Sequence, residues 1–356
     1  MADSQSLPKA ALYIYKPSVW ASVPLLALEE KGYGPDEVDL KEVDLSAGEN
    51  YKPQYLRLNP NATVPTLVVP LQKTLSSEIE SRYKAIHDSK AIVEFLDKSR
   101  SAQSRTHTTS SAPAPALTPA TIAFSAASNK IIEILHSGAA DPNALTIMNA
   151  RDDASLKQLA AGRLPLFKGK YNTLDELIKG NETAQVPVSE KTVKFWQTKK
   201  EAAEGFITVF KDADKPIDGL NPEAKKAREE YFETAKLAWA GLSDALLQLH
   251  KEIIGPYALG DQISLADMHL AAWLTRIAML VGASPSDDGN TMTSKIEAHV
   301  DGLQIPKDFS VTEARRRAGL PPANVQANDR QNRFAAFWDA MKERPSWKKV
   351  YADGLH

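Results

Sequence analysis

The chain contains no cysteine. Disulfides, thiolate zinc sites and a cysteine nucleophile are thereby excluded, and any sulfur chemistry must use a thiol that a ligand brings. Charge of one sign is also scarce in excess: the net charge is −2 and the pI near 6.4. That balance gives no bulk electrostatic pull toward nucleic acid or an anionic membrane. The densest basic cluster, Arg315-Arg316-Arg317, lacks interleaved aromatics and reads as a solvated helix face. No uninterrupted apolar run approaches the roughly 20 residues that span a bilayer. The best one, Leu270 to Val281, is broken by Thr275 and Arg276. The start, Met1 to Lys9, is polar and lacks the apolar core of a secretion signal, and the end, Ala-Asp-Gly-Leu-His, carries no hydrophobic anchor. A cytoplasmic protein without a membrane anchor is the expectation. No Gly-rich phosphate loop, His-Glu-x-x-His zinc motif or local Ser/His/Asp signature occurs, and the histidines show no metal spacing.

What is present suffices for two domains with cores of their own, since 356 residues exceed the roughly 100–200 of one domain. Ala11 to Tyr15 reads as a buried strand, ended by Lys16-Pro17-Ser18. A helix follows with Leu25, Leu26, Ala27 and Leu28 apolar. Ser22 is its expected N-cap, Pro24 falls in its first turn, and Gly32 is a left-handed residue just past its end. Glu37 to Leu45 reads as a second strand whose apolar phase slips from Val38 and Leu40 to Val43 and Leu45, which predicts a bulge near Lys41-Glu42. Tyr51 to Leu58 is a short polar helix or turn. Thr66 and Val68, in a run bounded by Pro65 and Pro70, predict a short buried strand, and Tyr83 to Ile86 another. Asp88-Ser89 opens a helix with Ala91, Ile92, Phe95 and Leu96 on one face. Strand–helix–strand, crossover, strand–strand–helix describes an α/β thioredoxin-like domain over residues 1–97.

Two readings of Val64-Pro65 stay open on the residues alone. A trans proline merely starts the strand; a cis bond leaves the Val64 N–H and C=O free to pair with an extended peptide. Residues 98–119, rich in Ser, Thr, Ala and Pro, form a linker with too little apolar surface to fold alone. Residues 120–356 read as an all-α domain. Thr121 to Leu135, Glu190 to Phe210 and Pro222 to Ile254 are amphipathic helices, and Ser264 with Asp267 forms a capping box flanked by a staple of Ile263 and Met268. Two stretches, 141–188 and 284–330, read as loop-rich insertions on this helical bundle.

Three segments carry a resemblance. Leu12-Tyr13, Pro17-Ser18 and Ala27-Leu28-Glu29-Glu30-Lys31-Gly32 come first, then Leu58-Asn59-Pro60 with Val64-Pro65-Thr66-Leu67, then Asp88 through Leu96. In this order and spacing they resemble the amino-terminal domain of the cytosolic glutathione transferase superfamily, in its serine-type form with an enlarged helical domain. The capping box and the closing Arg344-Pro345-Ser346-Trp347 resemble that superfamily's second domain, where the box serves folding. The resemblance implies glutathione as cosubstrate, with no metal, and a small hydrophobic electrophile bound between the domains. Ser18 would donate a hydrogen bond to the glutathione sulfur. A thiol near pKa 8.5 is only a few per cent ionised at neutral pH, and lowering it by roughly two units requires about 2.7 kcal/mol. By the same resemblance a cis Val64-Pro65 would pair with the cysteinyl backbone, while Ser89 and the helix start would take the γ-glutamyl carboxylate and Asp88 its ammonium. Lys52 and Thr63 are weaker candidates for the glycine carboxylate or the cysteinyl backbone, and Trp20 would wall the electrophile pocket. A homodimer is implied, and the missing cysteine argues against members that form a mixed disulfide with glutathione. The function expected is thiolate conjugation to hydrophobic electrophiles, or peroxide reduction; the alternative is a non-catalytic carrier or scaffold that keeps the fold.

Overall fold

The computed structural model describes residues 9–70, 83–101, 110–322 and 329–356. In chain order its elements are β1 (Ala10–Ile14), α1 (Val19–Glu30), β2 (Val38–Glu42), α2 (Pro53–Leu56), β3 (Thr66–Pro70), β4 (Tyr83–Ile86), α3 (Ser89–Ser99) and α4 (Ile122–Leu135). There follow α5 (Pro142–Ile147), α6 (Asp153–Glu182), α7 (Glu190–Phe210), α8 (Pro222–Glu252), α9 (Leu265–Leu280), α10 (Gly289–His299), α11 (Val311–Arg317), α12 (Arg333–Lys342) and α13 (Pro345–Val350). The strands form one sheet in the order β2-β1-β3-β4. β1 runs parallel to β2 and antiparallel to β3, which is antiparallel to β4. This is the thioredoxin-like α/β arrangement, followed by a helical remainder.

Two compact units divide the chain: Met1–Glu42, Thr63–Ala140 and Asp244–His356 form the first, and Val43–Ala62 with Asp141–Ser243 the second. In the first unit, Leu12, Ile14, Ala21, Leu28, Val38, Leu67, Val69, Ile92 and Leu96 build the core beside the sheet. α1 ends in a Schellman motif: the Gly32 N–H donates to the Glu29 carbonyl and the Tyr33 N–H to the Leu28 carbonyl, each at 3.0 Å. Gly32 has φ +68°, and a Cβ there would lie 2.6 Å from the Pro113 oxygen, so both backbone conformation and space demand glycine. The segment from Ser110 to Thr118 is tied down at this point. Lys31, fully buried, pairs with Asp97 at 2.9 Å and donates to the Pro115 carbonyl at 2.7 Å. Asp97 accepts in addition from the Leu117 and Thr118 N–H groups and the Thr118 hydroxyl. Burial works against its charge, yet the bonds from Thr118, Leu117 and Lys31 hold its carboxyl below the usual range.

Several local expectations change. Ser18, not Ser22, caps α1, because its side chain accepts the Ala21 N–H; Ser22 lies inside the helix and donates back to the Ser18 carbonyl at 3.3 Å. The phase slip after Leu40 marks the end of β2, which pairs with β1 in unbroken register, rather than a bulge. On α3, Ala91 and Phe95 face outward, and the buried side consists of Ser89, Ile92, Val93, Leu96 and Asp97. Residues 141–188 are not loop-rich: they hold α5 and the 30-residue α6. Gly162, Pro165 and Gly169 obscured that helix. Its formation rests on a capping box at Asp152 and Ser155 and on packing against α7, where Phe167 stacks on Phe206 at 4.8 Å. Within this second unit, the Trp196 indole N–H donates to the Tyr51 carbonyl at 3.0 Å and anchors the 43–62 segment. The three arginines 315–317 are engaged locally, with Glu313, Asp261 and the Pro321 carbonyl.

α9 starts as expected, with the capping box of Ser264 and Asp267. The wholly buried Asp267 carboxylate accepts from the Ser264 N–H, the Ser264 hydroxyl and the Ala258 N–H, each at 2.7 Å. Burial nevertheless pushes its carboxyl up to about 6. A carboxyl whose folded pKa lies above its unfolded value near 3.9 binds its proton more tightly in the native state. Its stabilising contribution is complete below about pH 4 and is lost as pH rises toward 6. Denaturant titrations from pH 4 to 6.5 should therefore show wild-type stability falling by roughly 2–3 kcal/mol relative to Asp267→Asn. Parallel pH profiles for the two proteins would contradict the assignment.

Candidate functional site

The register of the sheet brings three chain segments to one end of the first unit. Tyr13 pairs with Thr66, so the carboxyl end of β1, which leads into Ser18, lies beside the amino end of β3 and its Val64-Pro65. Leu67 pairs with Ile86, so the carboxyl end of β4, which leads into Asp88-Ser89, reaches the same end.

Ser18 is half-buried at the N-cap of α1, with extended backbone (φ −84°, ψ 120°). Its N–H donates to the Tyr15 carbonyl at 2.8 Å, and its Oγ accepts the Ala21 N–H at a long 3.4 Å. Among the described residues, none accepts the Ser18 O–H proton. The hydroxyl is therefore a weakly occupied acceptor and an uncommitted donor at the positive end of a helix.

The Val64-Pro65 bond is cis, as the second of the two readings had it. Neither the Val64 N–H nor its C=O takes part in a hydrogen bond among the described residues. Thr63 is exposed, and its carbonyl accepts the Thr66 hydroxyl at 3.2 Å. Asp88 caps α3 by accepting the Ala91 N–H at 2.9 Å. Ser89, buried at the first helical position, has a hydroxyl without a hydrogen bond among the described residues. The first N–H groups of that helix have no intrahelical acceptor, which makes its start suited to an anion. Lys52 lies in the second unit, largely exposed and 3.6 Å from Glu49.

Trp20, two residues into α1, is half-buried and stacks on His136 with ring centroids 3.9 Å apart and planes 18° from parallel. His136 Nε2 lies 2.9 Å from His269 Nδ1 on α9. Burial, with the charges of His136 and Lys90 nearby, drives His269 well below the ordinary histidine range, so it is neutral near pH 7. On the same helix, Arg276 donates from Nη2 to the Pro17 carbonyl at 2.6 Å. Sequence reasoning missed all three of these residues. The signal for Arg276 was in view, as a cation within an apolar helix; the histidine pair, 133 residues apart, left no local trace.

Chemically, the site end offers one uncommitted hydroxyl donor, a free backbone donor–acceptor pair, a second hydroxyl at a helix start and an aromatic wall. Among the described residues no three His, Asp or Glu side chains gather to hold a metal ion, and no helix is long and apolar enough to cross a membrane.

Residues 17–99 match the family described as the amino-terminal domain of glutathione S-transferase. Tetrachloro-p-hydroquinone reductive dehalogenase of Sphingobium chlorophenolicum is 45% identical over 64 residues, which are 18% of this chain and 25% of that protein. The chain thus spans about a quarter of the length of that curated relative. Glutathione transferase Omega 3C from Trametes versicolor is a structural neighbour at 16% identity and TM-score 0.46, covering 99% of this chain and 88% of its own. The β-etherase LigF of Sphingobium sp. strain SYK-6 is another, at 15% identity and TM-score 0.49, covering 97% and 100%.

Proposed function

We propose, for a chain that belongs to the cytosolic glutathione transferase superfamily by its amino-terminal domain, that it binds glutathione and activates the sulfur for transfer to a hydrophobic electrophile or for peroxide reduction. The observation that carries this reading is the meeting, at one end of the sheet, of the Ser18 hydroxyl, the Val64 backbone pair and the α3 start, all with unused hydrogen-bonding capacity. Such groups fit a small extended peptide that carries a thiol and carboxylates. Glutathione would supply a thiolate, the nucleophilic form of its sulfur.

The remaining work falls to the chain. Ser18 donates its O–H toward the sulfur and, with the positive end of α1, favours the charged form. Val64 presents its N–H and C=O for strand-like pairing with the peptide, in the manner of an added edge strand. Ser89 and the first N–H groups of α3 hold a carboxylate, and Asp88 an ammonium. Thr63 is assigned a subsidiary contact to the rest of the peptide. Trp20 walls the electrophile subsite and excludes water from one side of the sulfur. The name of the matched dehalogenase makes a halogenated hydroquinone a sensible early electrophile to assay. A homodimer in the cytoplasm goes with this reading, and light scattering tests the dimer.

Retention on immobilised glutathione, followed by turnover of an aryl halide, tests the function. Binding with turnover is the expected result. Binding without turnover would assign the chain a carrier role, and neither would assign it a scaffold role.

A further inference from the structure

α3 opens with a charge of the wrong sign for its position. Lys90 is the second residue of the helix, and no Asp or Glu lies in that first turn. A cation at the positive end of a helix is unfavourable, where an anion would be stabilised. Lys90 is nevertheless half-buried, and among the described residues it makes neither an ion pair nor a hydrogen bond. The acids nearest in sequence are turned elsewhere: Asp88 accepts the Ala91 N–H at 2.9 Å, and Glu94 lies 4.0 Å from Lys98.

The surroundings of Lys90 are aromatic. α3 packs against α1 and α9, all within the first unit. Burial, then the charges of His136 and Lys90, lower His269, so the Lys90 ammonium lies near enough for its field to reach that ring. His269 meets Trp20 and His136 with ring centroids 6.3 and 5.0 Å away. It is wholly buried and neutral near pH 7, and so brings no charge of its own. Trp20 is half-buried and His136 exposed, so their stacked pair keeps surface open to a ligand. A planar wall beside an unpaired ammonium, at the sheet end that holds Ser18, combines apolar area with a polar group that fixes orientation.

We propose that Lys90 is a specificity-determining residue of the electrophile subsite: its ammonium pairs with an anionic substituent of a planar aromatic substrate laid on the Trp20–His136 wall. This rests on the glutathione reading and deepens it, since it names the substrate class as an aryl halide that carries an anionic group. The glutathione thiolate forms the carbon–sulfur bond, and the halide leaves with the electron pair of the carbon–halogen bond. No oxidant or reductant enters. Lys90 places the ring and does not touch the sulfur. The bound anion also gains from the positive end of α3, which the lysine alone opposes.

The test is the ratio of kcat/KM for para-chloro-meta-nitrobenzoate to that for its uncharged amide, measured at saturating glutathione in wild type, Lys90→Gln and Lys90→Arg. Glutathione affinity is measured alongside by calorimetry. Lys90→Gln should lower the ratio about tenfold, the loss expected of one hydrogen bond to a charged group. Lys90→Arg, which keeps a cation, should retain most of the wild-type ratio. Because both substrates meet the same protein sample, any loss of folded protein cancels. A ratio that Lys90→Gln leaves unmoved overturns the assignment. An unmoved ratio with weaker glutathione binding also does so, since it gives Lys90 to a carboxylate of the peptide. Glutathione binding without turnover of either chloride overturns the substrate class. A wild-type protein that binds no glutathione overturns the underlying reading and this inference with it.

Discussion

Ser18→Ala is expected to lower kcat/KM for glutathione conjugation about 10- to 100-fold while the protein stays folded. The magnitude follows from the hydrogen bond removed: one donated to a charged partner contributes about 1.5–3 kcal/mol, and each 1.4 kcal/mol is about tenfold in rate. The loss should appear mainly as a thiol midpoint raised by about 1–2 units, because only the ionised sulfur gains from the donor. Folding should suffer less. The Ser18 cap bond to Ala21 is long, at 3.4 Å, so its removal belongs at the low end of the cap range of about 0.5–2 kcal/mol. Rates with an aryl halide, set beside thermal melts, check both halves. Unchanged conjugation by Ser18→Ala would remove the hydroxyl from the mechanism. A rate that falls only in proportion to lost folded protein would reduce Ser18 to a cap.

Gly289→Ala should be the most damaging single-methyl change in the helical part of the first unit. Gly289 opens α10, and its N–H donates to the Asp339 carboxylate of α12 at 2.8 Å. A Cβ there would sit 2.1 Å from the Ala335 oxygen and 2.6 Å from that residue's carbonyl carbon and Cα. These are backbone atoms within α12, so no side chain can turn aside; the helices must separate. α12 contributes Phe334, Ala335, Ala336, Phe337, Trp338, Ala340 and Met341 to the buried interior. Overpacking a tight core usually costs about 1–3 kcal/mol and occasionally more, and a backbone clash belongs at or above the top of that range. Gly205→Ala provides the opposite sign from the same chemistry. It lies exposed within α7 with nothing inside 4 Å of a Cβ. Alanine there should stabilise by about 0.5–1 kcal/mol through helix propensity. Urea midpoints for both variants decide it; two changes of the same sign would contradict the packing described at Gly289.

The sheet and its flanking helices were legible because each strand is short, β-rich and bounded by Pro, Gly or a capping residue. β4, α7 and the capping box at Ser264 follow directly from such local signals. The reading of Ser22 as a cap failed because Ser18 and Ser22 are both hydroxyls ahead of the same apolar face, and only the backbone decides which one leaves the helix. α6 failed for a different reason. Its glycines and proline lower intrinsic helicity, while the packing that restores it comes from α7 and the 43–62 segment, distant in sequence. At the site, Ser18, Val64, Asp88 and Ser89 could be named because each sits at the junction of two elements, where the chain pattern changes. Arg276, His136 and His269 lie within or at the end of helices whose partners are set by tertiary packing. A cation inside an apolar helix was visible at Arg276, but not the peptide group it holds.

The central claim is that this chain binds glutathione and holds its sulfur as a thiolate. The most direct measurement is the ultraviolet titration of thiolate in the complex of the wild-type protein with glutathione, against the same complex of Ser18→Ala. The account predicts a wild-type midpoint roughly two units below that of the free thiol near 8.5, and a midpoint returned most of the way to it in the variant. A wild-type complex that titrates like free glutathione, or no complex at all, would contradict it.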